Sequence, residues 1–167
     1  MWQQSEPTRG DGTTDDDPAL IQTRLRQLFA EQPYAVLCTQ GGGQPYGSLV
    51  AFVASDDLRH VVFATPSTTR KFRLLCECNR VALVIDSRSQ GSADIMALEA
   101  VTATGQANEM KRGAESAPWE RLLVERHPYL EPFISAPSSA LFVVEISRYL
   151  HVARFQEVQE WIPANRF

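Results

Sequence analysis

The sequence predicts an antiparallel β-barrel with a few short helices, and three observations carry that reading. Six segments show strand-length alternation or short apolar runs. The first three are separated only by turn formers, GGGQP at 41–45 and SDDLR at 55–59. Parallel neighbours need a crossover of about a dozen residues or more, so these three must pair as hairpins. Finally, the strands are interrupted only by short helices, which favours such a barrel over a doubly wound sheet.

The elements follow in chain order. Residues 1–18, MWQQSEPTRGDGTTDDDP, are acidic and rich in turn formers and read as a disordered tail. Residues 19–167 read as a single domain. Asp17 and Pro18 form an N-cap and first helical position. The following ALIQTRLRQLFAEQ puts Leu20, Ile21, Leu25, Leu28 and Phe29 on one face, and Pro33 stops it. Strands are expected at YAVLCTQ, YGSLVAFVA, HVVFAT and NRVALVID, with a short helix over 67–77 between the last two. ALEAVTATGQANEM is a fifth strand, and WERLLVERH is an amphipathic helix ended by Pro128. ALFVVEISRYLHVARF is a sixth strand with a bulge near Ser147, and QEVQEWI adds an edge.

Composition narrows the function. A chain of 167 residues can bury a core as one domain. Residues 1–18 hold five acids against Arg9 and so account for the whole net charge of −4. The remainder is balanced, which argues against a nucleic-acid surface, since that needs a basic face. No run approaches the roughly 18 apolar residues of a membrane span. Three cysteines and no signal-like segment point to a reduced, cytoplasmic protein.

One stretch carries chemistry. In ATPSTTRKFRLL, residues 64–75, a strand runs into hydroxyl residues and two adjacent cations where a helix begins. Ser67 is the expected N-cap, placing Thr68, Thr69 and Arg70 in the first turn. Phe72, Leu75 and Cys76 share the apolar face, Arg70 and Arg73 lie opposite, and Lys71 flanks the stripe. The first-turn N–H groups and the helix dipole attract anions, so Thr69, Arg70 and Lys71 can converge on a phosphate. The plainer reading is a solvated basic helix face. Against it, basic residues in a first turn oppose the dipole unless an anion is present.

The stretch YGSLVAFVASDDLRHVVFATPSTTRKFRLLCECNRVALVID resembles the flavin-binding split β-barrel family related to pyridoxamine 5′-phosphate oxidase. The resemblance covers about residues 30–110 and extends more weakly into YLHVARFQEVQEW. It implies a Greek-key split barrel and an FMN-binding homodimer with the flavin between subunits. It also implies an FMN-dependent oxidoreductase. Arg70 and Lys71 match the family's phosphate ligands, with Thr69 beside them. Phe63, Ala64 and Thr65 match the strand end along the flavin. Gly47, Ser48, Leu49 and Val50 match the strand whose backbone faces the isoalloxazine ring, although ordinary barrel packing also explains them. Ser87 and Arg88 match the flavin edge or phosphate.

The chain ends QEWIPANRF, without the arginine- and histidine-containing segment that grips substrate phosphate in true pyridoxamine phosphate oxidases. Vitamin B6 oxidation is therefore not the expected activity. The alternatives are heme binding or degradation, which would use a histidine such as His127 or His151, and a non-enzymatic flavin-binding module. Cys76 and Cys78 lack a second pair at zinc spacing, so no metal site is expected. Trp119 reads as core, and Trp161 as edge packing or a cover over a flavin or interface.

Overall fold

The computed structural model describes residues 17–91, 93–154 and 157–164; the expected tail lies outside them except for Asp17 and Pro18. Asp17 caps helix α1 (Pro18–Glu31), its carboxylate accepting from the Ala19 N–H at 2.9 Å. Pro18 takes the first helical position, where no N–H is needed. Ile21, Leu25, Leu28 and Phe29 turn inward. Leu20 stays 42% exposed, because at about 100° per residue it lies roughly a third of a turn from that stripe.

Seven antiparallel strands follow: β1 (Tyr34–Gly41), β2 (Gln44–Ala54), β3 (His60–Pro66), β4 (Arg80–Asp86), β5 (Ala100–Met110), β6 (Ser139–Ala153) and β7 (Glu157–Trp161). Their order is β3-β2-β1-β4-β5-β6-β7, and β3 also pairs with β6. That pairing closes the first six into a barrel and leaves β7 as the expected edge. Because β4 returns beside β1, the run β3-β2-β1-β4 is a Greek key. Between β1 and β2 the turn uses Gly42 and Gly43 at φ +57° and +78°, the left-handed geometry that suits a two-residue hairpin.

Strand β6 is long enough to serve two partners along one edge. Its first half, Ser139–Glu145, pairs with β3; its second half, Tyr149–Ala153, pairs with β7. The expected bulge lies between these halves. Opposite β5 the register jumps from Thr104↔Arg148 to Gly105↔Ile146, leaving Ser147 as the extra residue. The two strands come so close there that a Cβ on Gly105 would stand 2.2 Å from the Glu145 carbonyl oxygen.

The barrel ends are plugged by helices. Phe29 of α1 packs with Phe52 and Tyr149, at ring distances of 5.7 and 5.8 Å. At the other end, helix α2 (Arg70–Glu77) contributes Leu75 to the core and sets Phe72 edge-on to Phe142. Each fully buried side chain among them contributes about 1.5–3 kcal/mol. Helix α3 (Ala117–Arg126) and the short α4 (Glu131–Ile134) lie outside the barrel, joined by a 3₁₀ turn at Pro128–Leu130. Leu123 and Ile134 from this excursion form a second core with Val53, Val62 and Leu141, and Trp119 packs against it. The sequence did not predict α4 or the 3₁₀ turns, including those at Arg88–Gln90 and Ile95–Ala97. No helix among the described residues is long and apolar enough to cross a membrane.

Two details of α2 differ from expectation. The N-cap is Thr69, not Ser67: its hydroxyl accepts from the Phe72 N–H at 3.2 Å. Ser67 lies instead in the turn just after β3, donating its N–H to Ser138 O at 2.8 Å. Cys76 is exposed, and Leu74 is buried beside Leu75 in its place.

Candidate functional site

The site begins where two strands part. β2 and β3 pair only over Phe52–Ala54 and Val61–Phe63, although β2 continues back to Gln44 and β3 on to Pro66. Into the gap between them reaches Lys71, whose Nζ donates to the Leu49 carbonyl at 3.1 Å. The Leu49 carbonyl therefore points away from β1. Strand alternation turns the main-chain groups of Gly47 and Ala51 to the same side. Gly47 and Leu49 are exposed, Leu49 at 69%.

The excursion forms the opposite wall. Leu49, Ala51, Ala64, Lys71, Leu130 and Phe133 are among the residues lining a slot of about 120 Å³. Its lining side chains are apolar except for that of Lys71. Burial pushes the Lys71 ammonium below the ordinary lysine pKa. Its neighbour Arg70 is exposed and lies over the Tyr46 ring, 4.9 Å from the centroid. Neither cation forms an ion pair among the described residues. Thr69, Arg70 and Lys71 thus occupy the N-cap and first two positions of α2, with no acidic residue in its first turn. The hydroxyls of Thr65 and Thr69 bond at 3.0 Å, tying the strand end to the cap.

The twelve predicted residues divide by orientation. Gly47, Leu49, Ala64, Thr69, Arg70 and Lys71 gather around the gap. Ser48 and Val50 turn their side chains toward the barrel interior, in phase with core Phe52, and so offer a ligand only backbone. Phe63 and Thr65 likewise point inward, Phe63 stacking on Phe142 at 5.6 Å. Ser87 and Arg88 stand apart, near the end closed by α1. Ser87 exchanges bonds with the Glu99 backbone, and Arg88 pairs with Asp86 at 2.7 Å.

The sequence reading missed an aromatic cluster on the rim. Tyr34, the cross-strand partner of Ala51, bonds its hydroxyl to that of Tyr129 at 2.7 Å. Behind them His127 is buried at the C-cap of α3, nearly parallel to Tyr34. Its Nε2 meets the Phe52 carbonyl at 3.0 Å. A carbonyl only accepts, so that nitrogen carries the proton. Arg126 donates to the carbonyls of Phe29 and Gln32, so the end of α3 is pinned to both α1 and β2. His151 is also buried, with Nε2 3.3 Å from Glu99. A sequence signal for the tyrosine pair did not exist: its members are 95 positions apart.

Comparison with known proteins agrees with this architecture. Among solved structures, a heme binding protein from Mycobacterium smegmatis superposes with a TM-score of 0.75 at 19% identity, covering 85% of this chain and 57% of its own. HutZ, the heme storage protein from Vibrio cholerae, gives 0.67 at 15% identity, with 84% and 92% covered. A FAD-binding protein from Mesorhizobium loti gives 0.63 at 15%, with 77% and 90% covered. This chain thus spans little more than half the length of the Mycobacterium protein. No curated protein matches. The family profile described as pyridoxamine 5′-phosphate oxidase matches residues 21–153. The chain therefore belongs to the pyridoxamine 5′-phosphate oxidase family.

Proposed function

We propose that this protein binds FMN in the gap between β2 and β3, as a homodimer, and acts as a flavin-dependent oxidoreductase other than a pyridoxamine phosphate oxidase. The observation that carries the reading is Lys71. It is a half-buried cation with no carboxylate partner among the described residues, beside Arg70 at a helix start and next to an outward-facing strand backbone. A phosphate supplies the missing charge, and the first-turn N–H groups supply donors. The main-chain groups of Gly47 and Leu49 suit the donor and acceptor edge of the flavin, and the apolar slot suits its ring.

The slot holds about 120 Å³, whereas ligand pockets run to about 300–1,000 Å³. Most of the ring would therefore rest on the open face, and a second copy of the chain would cover it. Ser87 and Arg88, remote from the gap in their own chain, would come from that copy. The bound flavin supplies the redox chemistry. Arg70, Lys71 and the β2 backbone hold and orient it. A reducing, cytoplasmic setting accords with the three free thiols.

The test is the visible spectrum of purified protein, followed by titration with FMN and with riboflavin. Arg70→Ala should weaken FMN by about ten- to a hundredfold, one charge-assisted bond of about 1.5–3 kcal/mol, and leave riboflavin unchanged. Equal weakening of both ligands would remove the phosphate assignment. Bleaching of bound flavin by a reduced nicotinamide would distinguish an oxidoreductase from a passive flavin module.

Heme binding is the second reading, favoured by the structural likeness to the Mycobacterium and Vibrio proteins. It predicts a Soret band on titration and dependence on a histidine. His127 and His151 are both buried with Nε2 engaged, so ligation through that atom would first break an existing contact. FMN requires no such rearrangement and stands first.

A further inference from the structure

We propose that Tyr34 and Tyr129 form a positioning wall for the second molecule that meets the flavin, and that this molecule is planar and aromatic with a carbonyl or carboxylate acceptor. The inference rests on the flavin reading above and names the substrate class for the same site.

Placement comes first. Tyr34 pairs across the strands with Ala51, and Tyr129 precedes Leu130; Ala51 and Leu130 both line the slot. The tyrosines therefore stand at the margin of the cofactor groove, on the outer side of β1 and on the excursion that walls it. Both rings face solvent, at 49% and 62% exposure. Tyr34 stacks with His127 at 6.3 Å between centroids, and with half of its surface exposed it has ring left to offer a ligand.

Hydrogen-bond counting comes second. Each phenol has one hydrogen to donate, and one of the two is spent within the 2.7 Å pair. The hydroxyl that accepts keeps its own hydrogen, which needs an acceptor from outside. The bond with Tyr34 raises the Tyr129 hydroxyl above the ordinary tyrosine pKa.

Rigidity comes third. The turn carrying Tyr129 is closed by the Leu130 N–H to the His127 carbonyl at 2.9 Å, and the His127 ring is bonded to β2. Tyr34 begins a paired strand. The donor and the exposed part of the ring are thus fixed relative to the groove before any ligand arrives, which lowers the ordering cost of binding.

The simpler alternative is a clasp that ties the excursion to β1 and touches no ligand. FMN-loaded protein separates the two. Benzoate is titrated while the flavin absorption is followed, with cyclohexanecarboxylate as a probe of equal charge but without a flat ring. Benzoate should perturb the flavin bands, and the saturated acid should bind about three- to tenfold more weakly, the scale of an aromatic contact. Tyr34→Ala and Tyr129→Ala should weaken benzoate by a similar factor or more, with FMN affinity unchanged within about twofold. The Tyr34→Phe/Tyr129→Phe double variant keeps both rings. It should retain the preference for benzoate over the saturated acid while weakening both acids alike, and it serves if the alanine variants fail to fold.

No response to benzoate in the wild-type holoprotein overturns the inference, and so does equal binding by wild type and variants. A parallel loss of FMN affinity in the variants also overturns it, because the tyrosines would then belong to the cofactor site. Failure of the wild type to take up FMN removes the flavin reading itself, and this inference with it.

Discussion

Strand β3 has two edges, and they behave in opposite ways. Toward β6 it forms seven register pairs, from His60↔Glu145 to Pro66↔Ser139. Toward β2 it forms three and then parts company at Phe63. The sealed edge carries stacked Phe63 and Phe142, both buried, and leaves no room between the strands. Along the open edge Lys71 bonds to β2 where a β3 partner would have stood. One strand thus closes a core on one side and leaves a gap, the proposed flavin site, on the other. A site that must read a ligand with backbone groups has to leave part of a ladder unmade.

The largest effect expected from this contrast is on stability. Phe142→Ala, on the sealed edge, should cost about 3–5 kcal/mol, whereas Leu49→Ala, on the open one, should stay within about 0.5 kcal/mol. Urea midpoints measure both, and equal losses would mean that the open edge is itself part of the core. His127→Ala comes next. It leaves the Phe52 carbonyl without its partner and should cost at least about 1–3 kcal/mol in the same assay.

Lys71→Met sharpens the comparison differently. Burial already disfavours the ammonium, so removing it should leave the stability of the bare protein unchanged or slightly higher. FMN binding should nevertheless fall by about tenfold or more, which isothermal titration would read. A large stability loss would instead make Lys71 structural.

The smallest effect lies at the other end of the barrel. Burial pushes the Glu99 carboxyl up, but its bonds to Arg24 and His151 outweigh this and hold it below the ordinary 4.5. A lowered folded value means stability that is present above pH 4.5 and lost as pH falls through the folded pKa. Glu99→Gln should therefore flatten the acid side of the stability profile, modestly, because the group is partly solvated.

Much of the fold was legible because its signals are local. The Asp17–Pro18 cap, the Gly42–Gly43 turn and the extra residue at Ser147 each follow from a few neighbouring residues. The cap of α2 was misplaced for a tertiary reason: Ser67 has suitable chemistry, but its N–H is claimed by Ser138 across the barrel. The sequence also singled out Arg70 and Lys71 as a candidate anion site, since two cations opposing a helix dipole form a local anomaly. It could not say that Lys71 would reach Leu49, nor that Ser48 and Val50 would turn inward while Gly47 and Leu49 faced out.

By itself, the sequence determined the strands, their hairpin order and the cationic start of α2. Periodicity, turn chemistry and capping act over a few residues, and a linear pattern contains them. The separation of β2 from β3, the faces that meet the gap and the pairing of Tyr34 with Tyr129 emerge in the folded barrel. Those outcomes depend on strand register and on the docking of an excursion distant in the chain. Contacts of that separation form only when the closing barrel repays the entropy of bringing them together.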